Sequence, residues 1–169
     1  AELARILARA QPHSTRVIVV SKSFTTLETS MNAKAVVAWL KDSGCTKSQI
    51  AHALYAVTAN IPAAKEFGVS EDNIFPFWDW VGGRYSVWSA VGLPIALQYG
   101  FGTFKQFLAG AEAIDLHFKN APLEENLPVI MALTLLHQQE KHDIKAYAAI
   151  PYADALDWFP KWLQQLDME

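Results

Sequence analysis

Cysteine, charge and long apolar runs are all scarce in this sequence, and each shortage removes a class of protein. Cys45 is the single cysteine in 169 residues. That excludes an intramolecular disulfide framework and suits a reducing compartment such as the cytoplasm. Only 18% of residues are charged, and 14 basic against 17 acidic side chains give a net charge of −3. No Lys/Arg cluster exceeds a scattered pair, so the basic surface that nucleic acid requires is missing. No apolar stretch reaches the ~18 residues that span a bilayer. The longest, residues 88–101, is broken by Pro94 and several glycines. Neither a membrane nor a nucleic acid is expected as a partner. Metal-ligand spacings are absent too: His13, His52, His117, His137 and His142 make no HExxH pattern, and His137 and His142 stand five apart, off a common helical face. There is no P-loop and no GxGxxG.

What is present is apolar and aromatic: 51% of residues are hydrophobic and 12% aromatic. A chain of this length buries roughly two thirds of its unfolded surface, enough for a true core. Leu3, Ile6, Leu7 and Ala10 form a helical stripe that Pro12 ends. Residues 16–20 are the β-branched run of a buried parallel strand, and a hydroxyl-rich loop follows at once. Leu27, Met31, Val36 and Leu40 mark a helix that Gly44 would cap. Residues 52–58 and 74–77 are further strand candidates, separated by a turn at Asn60-Ile61-Pro62 and a short helix to Phe67. Strands alternating with helices predict an α/β fold with a parallel sheet, and a ligand at the strands' C-terminal ends.

Beyond Gly83 the pattern becomes helical. Residues 86–97 are apolar on nearly all sides and are expected inside the protein. Phe104, Phe107, Leu108, Ala111, Ile114 and Phe118 form a 3.6-period stripe. Further helices are expected over 124–140 and 154–166, with residues 147–150 as a strand opening a second sheet. The boundary is placed at Tyr99-Gly100-Phe101-Gly102, giving domains 1–99 and 100–169. An amphipathic first segment that is no signal peptide, and an abrupt Asp167-Met168-Glu169, suggest a piece of a longer polypeptide.

Three stretches could carry chemistry. Ser21-Lys22-Ser23-Phe24-Thr25-Thr26 lies between a strand and a helix. There, backbone N–H groups, the helix dipole, hydroxyls and the Lys22 charge would hold a phosphate or another anion. Thr25 or Thr26 could instead be a plain N-cap, but four hydroxyls and a lysine exceed what capping requires. In Trp78-Asp79-Trp80-Val81-Gly82-Gly83-Arg84, paired glycines permit close approach or positive φ. Arg84 there could stabilise an oxyanion or be salt-bridged to Asp79. Gln164 to Glu169 reads from composition as solvated surface. Cys45 has no neighbour in sequence that would activate it, and no catalytic role is expected for it.

These stretches, in this order, resemble the glucose-6-phosphate isomerase (phosphoglucose isomerase) family. Residues 79–92 fit its signature, and residues 21–29 are similar to its phosphate loop, S-K-[ST]-F-T-T-x-E-T. Residues 164–169 resemble the approach to its catalytic glutamate, with Leu166 where many members have Gly. The resemblance spans the chain but covers about a third of a whole isomerase. It implies sugar isomerase domains, the end of one and the start of a second, each a parallel sheet flanked by helices. It also implies interconversion of glucose 6-phosphate and fructose 6-phosphate through a cis-enediolate, without cofactor, in a cytoplasmic homodimer. Carried over, Ser21, Lys22, Ser23 and Thr26 hold the phosphate, Gly83 and Arg84 line the reacting end, Gln165 contacts substrate and Glu169 is the base. The family's upstream glycine-rich segment, catalytic histidine and C-terminal lysine have no match here. The segment alone is therefore expected not to isomerise sugars. The alternative is a non-catalytic phosphosugar-binding module of the same fold.

Overall fold

The computed structural model describes residues 2–168. It divides into two compact units, Ala1–Pro94 and Ile95–Glu169. The first unit holds a three-stranded sheet of β1 (Val17–Val20), β2 (Leu54–Thr58) and β3 (Ile74–Pro76) in that spatial order. Both pairings are parallel, with Val17 opposite Leu54 and Ala56 opposite Ile74. The central strand is the most apolar: Leu54, Ala56, Val57 and Thr58 are all buried. A strand covered on both faces loses the alternation of an exposed strand, which is why these runs could be read directly.

Helices α1 (Glu2–Leu7), α2 (Leu27–Asp42), α3 (Lys47–Ala53) and α4 (Ile61–Phe67) complete this unit. Val36 and Leu40 of α2 pack with Ile50 and Ala53 of α3, Leu54 and Ala56 of β2, and Ala64 and Val69. Full burial of a side chain the size of Leu40 contributes roughly 1.5–3 kcal/mol. Local signals set the helix ends. Gly44, at φ +83°, gives its N–H to the Lys41 carbonyl, and Gly68, at φ +105°, ends α4. Thr46 and Gln49 form a reciprocal capping box that starts α3.

Residues 86–97 differ from expectation. Two 3-10 turns, Gly83–Trp88 and Ala90–Gly92, precede α5 (Leu93–Tyr99), and Trp88 and Leu97 are exposed. Serine chemistry explains the tighter winding. Ser86 Oγ donates to the Gly83 carbonyl at 2.6 Å, and Ser89 Oγ to that of Ser86 at 2.6 Å, each three residues back.

The second unit contains α6 (Phe101–Asn120), α7 (Leu127–His142) and α8 (Phe159–Met168). Asn126 makes the turn between α6 and α7: its Oδ1 accepts from Val129 N–H and its Nδ2 donates to the Phe118 carbonyl at 2.8 Å. Of the expected α6 stripe only Phe104 is buried, while Phe107, Ile114 and Phe118 are exposed. A lone helical hairpin covers too little of an apolar stripe this wide. Residues 147–150 form no strand, because no β-ladder neighbours them among the described residues. The division at Pro94 falls a few residues ahead of the boundary read from the glycines.

Candidate functional site

Three loops leave the C-terminal ends of the parallel strands: residues 21–26 after β1, 59–60 after β2, and 77–82 after β3. Parallel α/β sheets place ligands at such ends. The first loop is a hydroxyl web. Buried Ser21 extends the ladder through its N–H to the Val57 carbonyl at 3.1 Å, while its Oγ accepts from Phe24 N–H at 3.1 Å. Ser21 Oγ also pairs with Thr26 Oγ1 at 3.3 Å, and Ser23 Oγ with Thr25 Oγ1 at 2.7 Å. Thr26 stands at the N-cap of the sixteen-residue α2, yet its side chain makes no capping bond. The hydroxyl faces Ser21 instead. Plain capping therefore does not account for this residue.

Phe24 has φ 58°, a left-handed conformation that costs a bulky residue about 1–2 kcal/mol. Its ring offsets this by meeting Phe67 edge-on, with centroids 5.7 Å apart. Backbone strain of this kind concentrates at ligand-binding turns.

The other loops grip the first. The Lys22 and Ser23 carbonyls are held by donors from Thr58, Ala59 and Asn60 at 2.9–3.1 Å. Phe77 N–H donates to the Thr58 carbonyl at 3.3 Å, which carries the chain into Trp78-Asp79. There Lys22 Nζ donates to the Asp79 carbonyl. Two motifs 57 residues apart in sequence thus share one end of the sheet. Lys22, Ser23, Thr26, Ala59, Asn60 and Asp79 line an open cleft of about 580 Å³. Neutral donors, one cation and a helix N-terminus at one opening suit an anion.

Gly83 and Arg84 follow on the same unit, in the 3-10 turn Gly83–Trp88, with Arg84 half-buried. No ion pair joins Arg84 to Asp79 among the described residues. Neither glycine uses positive φ, and a Cβ on Gly83 would meet nothing within 4 Å. Gln165 lies exposed on α8 in the second unit, and Glu169 is outside the described residues. Composition and periodicity did not reveal Thr58 and Asn60, although a Thr-x-Asn turn directly after a strand is a readable signal for loop bracing. The structure also corrects the view of Cys45 as lacking a nearby base: His13 Nδ1 lies 3.6 Å from its Sγ. That pair joins the segment before β1 to the end of α2, at the opposite end of the sheet from the cleft.

A parallel sheet flanked by helices, with a strained, hydroxyl-rich loop at the C-terminal ends of its strands, is an α/β domain of the class that binds ligands at that edge. The family model described as phosphoglucose isomerase matches residues 1–169, and the chain belongs to that family. It is 46% identical over its whole length to a glucose-6-phosphate isomerase of Burkholderia pseudomallei (strain 1106a), spanning 31% of that protein. It is 45% identical to one from Paraburkholderia phymatum, again over 31% of the relative. Among solved structures, a glucose-6-phosphate isomerase from Chlamydia trachomatis superposes with TM-score 0.88 at 34% identity, over 98% of this chain and 32% of that one. A hypothetical protein from Thermus thermophilus superposes with TM-score 0.76 at 29% identity, over 98% of this chain and 39% of that one. The chain thus spans about a third of the length of the curated relatives it matches.

Proposed function

We propose that the protein carrying this chain interconverts glucose 6-phosphate and fructose 6-phosphate. Thr26 carries the proposal furthest: its hydroxyl turns to Ser21 instead of capping α2, which supports an anion site over a plain cap. The phosphate would rest on Ser21, Ser23 and Thr26, with Lys22 charge beside them. The open-chain sugar would then extend toward Gly83 and Arg84. Glu169 would take the proton from C2 of the aldose and return it to C1, with Gln165 in contact with the substrate. The developing cis-enediolate needs fixed positive charge at its oxygens, which the Arg84 guanidinium would supply. None of these steps calls for a metal or a redox cofactor. On the same reading, the chain holds the end of one sugar isomerase domain and the start of the next, in a cytoplasmic homodimer.

Arg84→Lys tests the assignment. Removing one oxyanion donor typically lowers kcat by ~10²–10³, while a ground-state clamp would raise KM instead. A coupled assay on the protein carrying this chain should give a large fall in kcat at nearly unchanged KM. Unchanged kcat with raised KM would refute the role of Arg84.

A further inference from the structure

We infer that Thr58 and Asn60, in the turn after β2, are positioning residues that hold the Ser21–Thr26 loop in its anion-binding form; this rests on the function proposed above. Thr58 is fully buried, and its hydroxyl is used twice. It donates to the Lys22 carbonyl at 3.1 Å and accepts from Asn60 N–H at 3.0 Å. Ala59 N–H donates to that same Lys22 carbonyl at 3.1 Å. Asn60 Nδ2 donates to the next carbonyl, Ser23, at 2.9 Å. Two successive loop carbonyls are thereby pinned to the end of β2.

Peptide planarity turns this grip into function. In a trans peptide the carbonyl of one residue and the N–H of the next point in opposite directions. Pinning the Lys22 and Ser23 carbonyls therefore fixes where the Ser23 and Phe24 N–H groups point. Phe24 N–H is aimed onto Ser21 Oγ, which sets the orientation of the Ser21 hydroxyl. Strained Phe24 would otherwise relax to negative φ and turn these groups away. Asn60 adds a second hold through α4: its Oδ1 caps the helix at Ala63 N–H, and that helix carries Phe67, which packs on Phe24.

The two tasks of Asn60 can be separated. Asn60→Ser keeps an oxygen that caps Ala63 equally well but loses the donor to Ser23. Thr58→Val removes the hydroxyl at constant shape, and Thr58→Ser restores it. The measurements are inorganic phosphate affinity by titration calorimetry, steady-state kinetics on hexose 6-phosphate, and thermal melting, all on the protein carrying this chain. Asn60→Ser should weaken phosphate binding and raise KM about five- to tenfold, with KM moved more than kcat. Thr58→Val should do the same or more, and Thr58→Ser should keep wild-type phosphate affinity while melting lower, because it deletes a buried methyl. Unchanged phosphate affinity in a folded Asn60→Ser protein would overturn the inference. So would equal losses of phosphate affinity in Thr58→Val and Thr58→Ser. If the wild type binds phosphate without isomerising hexose phosphates, the proposed activity fails, and the phosphate affinities still judge the bracing. A wild type that binds no phosphate overturns both.

Discussion

Phe24 offers a test in which the usual ranking of substitutions should invert. Glycine ordinarily destabilises a folded site by about 0.5–1 kcal/mol relative to alanine. Phe24, however, sits at φ 58°, where a Cβ is strained and a glycine is not. Its ring is half-buried against Phe67. Roughly half the ~1.5–3 kcal/mol of a fully buried phenylalanine is therefore at stake. The edge-on ring pair adds about 0.5–1.5 kcal/mol. Phe24→Ala loses both and keeps the strain, so its cost should be about 2 kcal/mol. Phe24→Gly loses the same packing but releases the strain, and should recover about 1 kcal/mol of that cost. Urea denaturation of both variants, with equal slopes, gives the comparison directly. A glycine variant less stable than the alanine variant would refute the claim that this loop stores backbone strain.

Three further substitutions check the frame around the site. Leu40→Ala, at a position with no exposed surface, should cost about 3–4 kcal/mol; a loss below 1 kcal/mol in denaturant titration would contradict the packing of α2 on β2. Thr46→Ala removes one half of the capping box and should lower stability by about 1 kcal/mol, read from the shift in urea midpoint. Gly68→Ala meets no neighbour within 4 Å, so any loss in the same titration, expected at about 1 kcal/mol, reports its left-handed φ alone.

The sheet could be read from sequence because its central strand is buried on both faces and the edge strand β1 is as apolar. Val17 to Val20 and Leu54 to Thr58 are nearly continuous apolar runs between turn residues, and helices separate them. The helical stripes of the second unit were equally visible, but their burial was not. Period gives the face of a helix, whereas burial depends on what lies against that face. Phe107, Ile114 and Phe118 keep their period and remain exposed. Residues 86–97 misled in the same way, since apolar composition does not say what covers a side chain, and Trp88 and Leu97 are exposed. The hydroxyl web of Ser21 to Thr26 was legible because its members cluster within one loop. The Thr58–Asn60 brace and the His13–Cys45 pair were not, because each depends on partners 32 to 37 residues away.

The anion loop and the Asp79–Arg84 segment could be independent devices that happen to share a sheet edge. The hydrogen bonds argue otherwise. Thr58 takes hold of both: its hydroxyl and Ala59 N–H bind the Lys22 carbonyl, and its own carbonyl accepts from Phe77. From Phe77 the chain runs two residues to Asp79, whose carbonyl receives Lys22 Nζ. The path from Lys22 through Thr58, Phe77 and Asp79 returns to Lys22 and closes on itself. A closed circuit resists deformation better than two separate contacts, because moving either segment must stretch bonds on both sides. Catalysis on a phosphosugar requires such coupling, since the phosphate end must set the distance from the reacting carbons to the charge that stabilises them. Tying Lys22 to Asp79 couples the Ser21–Thr26 loop to the segment that leads into Arg84. The Lys22 side chain therefore acts as a cross-brace of this sheet edge.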